Sequence, residues 1–316
     1  MENAVFIAGN VLPIFLLIVA GWLAGRKKLL TAAWSDVSSR LVFQFCLPAL
    51  VFTSIYASDF RIAFSPGLLA FGMIATLLSL PLLFLLARFL LSDPPARGAF
   101  IQGGFRGNFM ILAFPVIGNL FGEPGKARAA ILLVGIMPVY NLLSVTILAA
   151  HSREAKAARP SQILRGIATN PLILAALAAI PFAALGWRLP AAIEKFLLYL
   201  ATIAVPLSLL DLGASMSRRK LGERPAAVIM VTLYKVAVLP VLFVGAALAL
   251  GFTGIDVSII FMLGATPTAV ASYVMAKSMG NDENLAGEIV LATTVASMVT
   301  IFGGLWLLRT YFPSHM

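Results

Sequence analysis

The chain has 316 residues, of which 60% are hydrophobic and only 11% are charged, against about 25% charged residues in a typical soluble domain. Too few polar side chains are available to cover a water-soluble globule of this length, so the composition excludes a soluble enzyme and predicts a polytopic membrane protein. The formal net charge is +10, but the basic residues lie in short loops between apolar segments, which is typical of cytoplasmic anchoring and argues against nucleic-acid binding.

Ten apolar stretches follow one another along the chain, and we call them spans 1 to 10 in chain order. Spans 7 and 8, at 196–217 and 225–251, carry one charged residue each, Asp211 and Lys235. The other eight are uncharged and cover residues 3–25, 41–58, 66–87, 107–122, 129–150, 169–187, 257–276 and 289–308. The sequence therefore predicts an all-α membrane protein with ten transmembrane helices.

The charges of the loops predict the orientation of these spans. Loops 26–40, 151–168 and 216–224 each carry four Lys or Arg residues and one acidic residue, and each connects an odd span to the next even one. The positive-inside rule places these loops in the cytoplasm, so both termini are predicted to be non-cytoplasmic. Loop 277–288 is an exception because it is acidic. We expect a multi-pass protein of the cytoplasmic (inner) membrane.

Several prolines and glycines recur at about half the length of the chain. Three pairs are 158 residues apart and a fourth is 159 apart, namely Pro13 with Pro171, Pro48 with Pro206, Gly122 with Gly280, and Pro81 with Pro240. Five spans per half is an odd number, so the second half enters the membrane upside down, as in many secondary transporters. We therefore predict two inverted five-helix repeats, residues 1–158 and 159–316, in one transporter domain.

Spans 4 and 9 contain residues that interrupt helices. Residues 98–122 read GAFIQGGFRGNFMILAFPVIGNLFG, and residues 261–280 read FMLGATPTAVASYVMAKSMG. Glycine and proline weaken or break a helix, and a break within a bilayer is tolerated only where it lines a protein cavity. Breaks at matching positions of two halves indicate a transport site.

Three further stretches of the sequence are distinctive: FRGNFMILAFPVIGNLFG at 105–122, IMPVYNLLSV at 136–145 and GATPTAVASYVMAKSMGNDENLAGEIVLATTVAS at 264–297. They resemble the auxin efflux carrier family, which contains bacterial malonate and malate permeases. The resemblance runs from span 1 to span 10 and implies a fold similar to that of bile-acid symporters, with spans 4 and 9 crossing where they break. It further implies a scaffold of spans 1, 2, 6 and 7 and a mobile part made of the other six. The short loop 151–168 is similar to bacterial members rather than to plant exporters, which argues against auxin as the substrate.

The candidate substrate-binding residues lie around the two breaks. Half-helix N-termini attract anions, and the excess of basic over acidic residues in the membrane suits an anionic substrate. The candidates are Arg106, Gly107, Asn108, Pro115, Asn141, Thr266, Pro267, Thr268, Ser272 and Tyr273. Arg106 could equally reach an interface without binding substrate. The candidates for ion coupling are Asp211, Lys235 and Gln44, although Asp211 and Lys235 could instead neutralise each other.

These residues predict a secondary active transporter or uniporter that moves a small organic anion, a mono- or dicarboxylate, by alternating access. Coupling to H⁺, to Na⁺ or to neither is left open. The alternative is a cation/proton antiporter or a Na⁺-coupled symporter of related fold. An antiporter needs acidic ligands in the membrane centre, and the sequence offers only one buried carboxylate. We expect that the protein is not an enzyme and that it holds no metal or cofactor. His151 is predicted in a loop, His315 lies at the tail, and Cys46 is the only cysteine. Besides the anion, the expected partner is the lipid bilayer, and a homodimer is compatible with the sequence.

Overall fold

The computed structural model describes residues 2–57, 64–152, 168–169, 171–217, 222 and 224–311. Within these ranges the regular structure is helical, without a β-strand, and residues Gly107 and Thr268 form one isolated bridge. The boundary between the predicted repeats and most of the basic residues of loops 151–168 and 216–224 lie outside the described residues, as does His315.

The helices are numbered here in chain order. Those before the gap at 153–167 are α1 (Glu2–Arg26), α2 (Ala32–Tyr56), α3 (Pro66–Leu90), α4 (Pro94–Phe105) and α5 (Phe109–His151). Those after the gap are α6 (Pro171–Leu185), α7 (Ala191–Met216), α8 (Pro225–Ala249), α9 (Ile255–Ala265), α10 (Ala271–Ser278) and α11 (Glu283–Tyr311).

Seven of these helices are long and apolar enough to cross a membrane: α1, α2, α3, α5, α7, α8 and α11. Two others, α6 and α9, are apolar but shorter. The chain is therefore an all-helical, multi-pass membrane protein in its described part, which confirms the class predicted from composition. Helix α5 changes direction at Gly122, whose φ of 62° is a left-handed conformation that glycine adopts readily. This residue separates the predicted spans 4 and 5.

Three helices contain a widened, π-type turn directly before a proline. The turns are Val42–Cys46, Phe109–Ala113 and Tyr234–Val238, and they precede Pro48, Pro115 and Pro240. Proline has no N–H and its ring clashes with the carbonyl four residues earlier, so the preceding turn bonds from residue i to residue i+5 instead. Gln44 and Lys235, two of the predicted coupling residues, lie in such turns.

Two clusters of charged residues tie helix ends together outside the apolar core. In one, the Arg128 guanidinium lies 2.9 Å from the Asp256 carboxylate, and the Ser65 hydroxyl donates to the same carboxylate at 3.5 Å. In the other, Arg224 lies 3.4 Å from Asp93 and 3.5 Å from Asp282. Each cluster joins residues from both halves of the chain.

Candidate functional site

Two short stretches without helical structure meet inside the protein, and we call them the crossover (residues 106–108 and 266–270). Helix α4 ends just before the first stretch, and helix α9 ends just before the second. The stretches run antiparallel: the Asn108 N–H donates to the Pro267 carbonyl at 2.7 Å, and the Ala269 N–H donates to the Arg106 carbonyl at 3.0 Å. Each stretch thus supplies partners for backbone groups that the other leaves outside a helix, which is how a break is tolerated within a membrane.

Gly107 permits this close approach. A Cβ atom at position 107 would lie 2.7 Å from the Thr266 hydroxyl oxygen and 3.3 Å from the Lys235 Nζ atom. Contacts below 3.0 Å require the neighbour to move, so a side chain at this position would displace the Thr266 hydroxyl or push the two stretches apart. The glycine seen in the sequence as a helix breaker is therefore also a requirement for packing.

The C-terminal end of α4 is covered by one side chain from the second stretch of the crossover and one from α8. The Thr268 hydroxyl donates to the Gly103 carbonyl at 2.7 Å, and the Lys235 ammonium donates to the Phe105 carbonyl at 3.5 Å. A cation near a helix C-terminus complements the negative end of the helix dipole. Lys235 is fully buried and stabilises this end of the crossover.

Arg106 is the central charged group of the crossover and is 5% exposed. One terminal nitrogen, Nη1, donates to the Ser144 hydroxyl at 3.0 Å and to the Tyr140 carbonyl at 3.3 Å. The other, Nη2, donates to the Asn141 side-chain oxygen at 3.1 Å. All three acceptors are neutral and belong to α5. Among the described residues no carboxylate pairs with Arg106, so its positive charge is buried without a countercharge, and it does not extend to an interface.

Three buried polar side-chain atoms at the crossover have no hydrogen-bond partner among the described residues. They are the Asn108 amide nitrogen, the Thr266 hydroxyl and the Ser272 hydroxyl, in side chains that are 4%, 0% and 1% exposed. Asn108 directly precedes α5, and Ser272 lies in the first turn of α10. Unpaired buried polar groups are costly and rare. Two of these groups thus lie at helix N-termini, and the Thr266 hydroxyl lies directly after the C-terminal end of α9.

The other predicted binding residues differ in their surroundings. The N–H and the hydroxyl of Thr268 already have partners, because the N–H donates to the Thr293 hydroxyl at 3.0 Å and the hydroxyl donates to the Gly103 carbonyl of α4. The Pro267 carbonyl is also engaged, by the N–H of Asn108. Pro115 is buried after the widened turn of α5 and not at the break itself, and Tyr273 is half-buried on α10.

The predicted coupling residues do not pair with one another. Asp211 accepts a hydrogen bond from Ser39 of α2, whereas Lys235 bonds to the end of α4. The alternative that these two charges neutralise each other is therefore wrong. Gln44 is exposed on α2, and in the described part of the chain none of the three forms a hydrogen bond with the unpaired groups at the crossover.

The sequence alone did not identify several residues that build this site. The Tyr140 carbonyl and the Ser144 hydroxyl accept hydrogen bonds from Arg106. Ser144 lies three residues after Asn141 and therefore on the same face of α5, and this spacing is the signal that could have identified it. Gln102 is fully buried on α4, and its amide nitrogen lies 3.6 Å from the sulfur of Met275 on α10. Its side-chain oxygen has no partner among the described residues.

The described part of the chain thus has seven candidate membrane spans and a pair of interrupted helices that meet at the crossover. A family model described as "Membrane transport protein" matches residues 6–303, nearly the whole chain. The chain belongs to this family, which is the auxin efflux carrier family that its sequence resembles.

Relatives of full length carry transporter names. A protein of Rhizobium meliloti named "Putative malonate transporter" is 27% identical over 310 residues, which cover 96% of both chains. An "Uncharacterized transporter" of Methanothermobacter thermautotrophicus is 25% identical over 294 residues, or 92% of this chain and 95% of that one. An uncharacterized transporter of Escherichia coli is 21% identical over 309 residues, or 96% and 97% of the two chains.

Proposed function

We propose that the protein carries small organic anions, mono- or dicarboxylates, across the cytoplasmic membrane by alternating access. This proposal rests on the burial of the Arg106 guanidinium without a countercharge in the described part of the chain. The guanidinium is buried beside the break in the helices, and its three hydrogen-bond acceptors are all neutral. A buried charge without a partner is costly. A carboxylate bound at the crossover supplies the missing countercharge, and this anion is the proposed cargo.

The remaining groups at the crossover suit the same ligand. The unpaired Asn108 amide and the hydroxyls of Thr266 and Ser272 can all donate hydrogen bonds to carboxylate oxygens. The N-termini of α5 and α10 add backbone N–H groups and the positive ends of two helix dipoles. The name of the Rhizobium meliloti relative refers to malonate, a dicarboxylate, and this supports testing malonate first.

We also propose that the fold consists of ten crossings in two inverted repeats, residues 1–158 and 159–316. Two features support this proposal. The interrupted helices α4–α5 and α9–α10 occur once in each half, and each charged cluster contains an Arg–Asp ion pair between the two halves. Each of these pairs joins an acidic residue at the start of an interrupted helix, Asp256 at α9 or Asp93 at α4, to an arginine of the other half, Arg128 or Arg224. In this arrangement α1, α2, α6 and α7 form the scaffold, and the other helices move.

The groups present favour an anion carrier over the cation/proton antiporter. An antiporter needs acidic ligands in the membrane centre. The described residues contain no group of three His, Cys, Asp or Glu side chains that could hold a cation, and the crossover presents amides, hydroxyls and two cationic side chains. Asp211 remains a candidate for coupling to H⁺ or Na⁺, since one of its carboxylate oxygens has no partner. Both termini are proposed to be non-cytoplasmic, as the basic loop 26–40 indicates.

Counterflow in proteoliposomes tests the transport function. Vesicles that contain the purified protein and are preloaded with unlabelled malonate should accumulate labelled malonate saturably. Unlabelled mono- and dicarboxylates should compete, whereas malonamide, which has the same shape without the charge, should not. Protein-free vesicles provide the control. Accumulation that malonamide inhibits as strongly as malonate would contradict an anion site, and absence of flux with a broad carboxylate panel would contradict the proposed substrate class.

A further inference from the structure

A large apolar cavity lies between α3 and α8, outside the crossover. Its volume is about 630 Å³, and its walls include Phe71, Ala75, Ser79, Tyr234, Leu242 and Ala246. The two helices pack against each other where Leu80–Leu90 meets Pro225–Leu233, and the cavity opens between their other ends. The buried rings of Phe71 and Phe243 still touch edge to face, with centroids 6.1 Å apart.

The mouth of this cavity is lined by exposed apolar side chains, as expected for a surface that contacts the hydrocarbon of a bilayer. Ile74 and Leu78 of α3 are 55% and 72% exposed, and Leu242 of α8 is 55% exposed. Both helices are long and apolar enough to span a membrane. Because lipid surrounds such helices, whatever fills the cavity enters from the bilayer.

Neither an empty cavity nor water fits this lining. The cost of an empty apolar void grows with its volume, and a buried water needs two to four polar partners. The only polar side chains that line the cavity in the described part of the chain are Ser79 and Tyr234. Their protons are already used, because the Tyr234 hydroxyl donates to the Ser79 carbonyl at 2.8 Å and the Ser79 hydroxyl donates to the Thr76 carbonyl at 2.7 Å. An apolar occupant is therefore required.

The cavity is long enough to hold one lipid tail. Its lining on α3 runs from Gly67 to Leu82, which is about 22 Å of helix at 1.5 Å per residue. Half of a typical hydrocarbon core is about 15 Å thick. A chain that enters at the Gly67 end, near the edge of the membrane, reaches past the bilayer centre before it meets the hydrogen-bonded Tyr234 and Ser79.

We propose that the cavity between α3 and α8 binds one acyl chain of a membrane phospholipid. The bound chain fills the space between the two helices and packs against Tyr234. The next residue, Lys235, bonds to the end of α4 at the crossover. The lipid therefore stabilises the turn of α8 that carries Lys235, whichever substrate the protein transports.

Photolabelling tests this site directly. The protein is reconstituted in phosphatidylethanolamine and phosphatidylglycerol vesicles that contain a phospholipid with a photoactivatable diazirine in its acyl chain. Labels should concentrate on peptides covering 67–82 and 234–250. Equal labelling of the exposed lipid-facing side chains of α1, such as Leu12 and Leu16, would show ordinary surface lipid and overturn the proposal.

A matched pair of substitutions separates the cavity from the surface of the same helix. Ala246 and Ala249 are both exposed on α8, but only Ala246 lines the cavity. Ala246→Trp should fill the cavity and remove most of the label from both peptides, whereas Ala249→Trp should leave the label unchanged. If Ala246→Trp is not monodisperse, Ala70→Trp fills the cavity from α3. Unchanged labelling in a monodisperse cavity-filling variant would overturn the proposal.

Discussion

Arg106→Gln is expected to abolish most carboxylate transport while the protein remains folded. Removing one partner of a buried, hydrogen-bonded charge pair costs about 2–5 kcal/mol, which is roughly 30-fold or more in affinity for the anion at about 1.4 kcal/mol per tenfold. Without substrate, Arg106 has only neutral acceptors on α5, and a glutamine amide can still donate to one of them. The stability of the substrate-free protein should therefore not fall.

The measurement is malonate counterflow at several concentrations, together with the thermal midpoint of the purified protein. Arg88→Gln is the control, since Arg88 is an exposed cation in the last turn of α3. Arg106→Lys keeps the charge but loses the two-nitrogen contact with α5, so it should retain part of the transport. Wild-type transport by Arg106→Gln would show that this charge does not bind the substrate. A collapse of stability in both variants would show that Arg106 is structural.

Gly107→Ala is expected to destabilise the crossover by roughly 1–3 kcal/mol, the usual cost of overpacking. The new Cβ atom would lie 2.7 Å from the Thr266 hydroxyl oxygen. The antiparallel bonds between the two stretches at the break must then lengthen, or Thr266 must move. Because the anion is proposed to bind at this point, transport should fall together with stability.

The double variant Gly107→Ala, Thr266→Ala identifies the cause. Thr266→Ala removes the oxygen with which the new Cβ atom collides, so the second change should recover much of the stability lost by the first. Thermal unfolding of the wild type, both single variants and the double variant gives the coupling free energy, expected at about 1 kcal/mol or more for residues in contact. If the effects of the two substitutions on stability simply add, the loss in Gly107→Ala does not come from a clash with the Thr266 hydroxyl. Transport should stay low in the double variant, since Thr266 is a proposed ligand.

Most of the spans could be predicted because long uncharged runs are a strong signal. The ends of these uncharged runs do not mark the ends of the helices where a charged residue lies inside a helix. The predicted span 107–122 omits α4 because Arg106 ends the uncharged run, and span 289–308 begins after the buried Glu288 although α11 starts at Glu283. Burial of a charge depends on tertiary contacts that hydropathy does not contain.

The breaks at the crossover could be predicted from Gly107, Asn108 and Pro267, since these residues oppose helix formation locally. Asn141, one partner of Arg106, was among the candidates because it is a polar residue in an apolar span, whereas the backbone carbonyl of Tyr140 could not be predicted, since a carbonyl leaves no mark in the sequence. Asp211 and Lys235 are single charges on consecutive spans and suggested a pair. In the structure Asp211 bonds to α2 and Lys235 to α4. Charged side chains on consecutive helices need not lie at the same depth in the membrane or face each other.

The most direct test of the account is whether an anion binds at the crossover through Arg106. The thermal midpoint of the detergent-purified protein should be measured with malonate and with malonamide, in the wild type and in Arg106→Gln and Asn108→Ala. A ligand at 100 times its Kd stabilises a protein by about 2.7 kcal/mol, so malonate or another small carboxylate should raise the wild-type midpoint clearly. Neither variant should show that shift, and malonamide should have no effect. Stabilisation that persists in Arg106→Gln, or that only neutral or cationic solutes produce, would contradict the assignment of the crossover as an anion site.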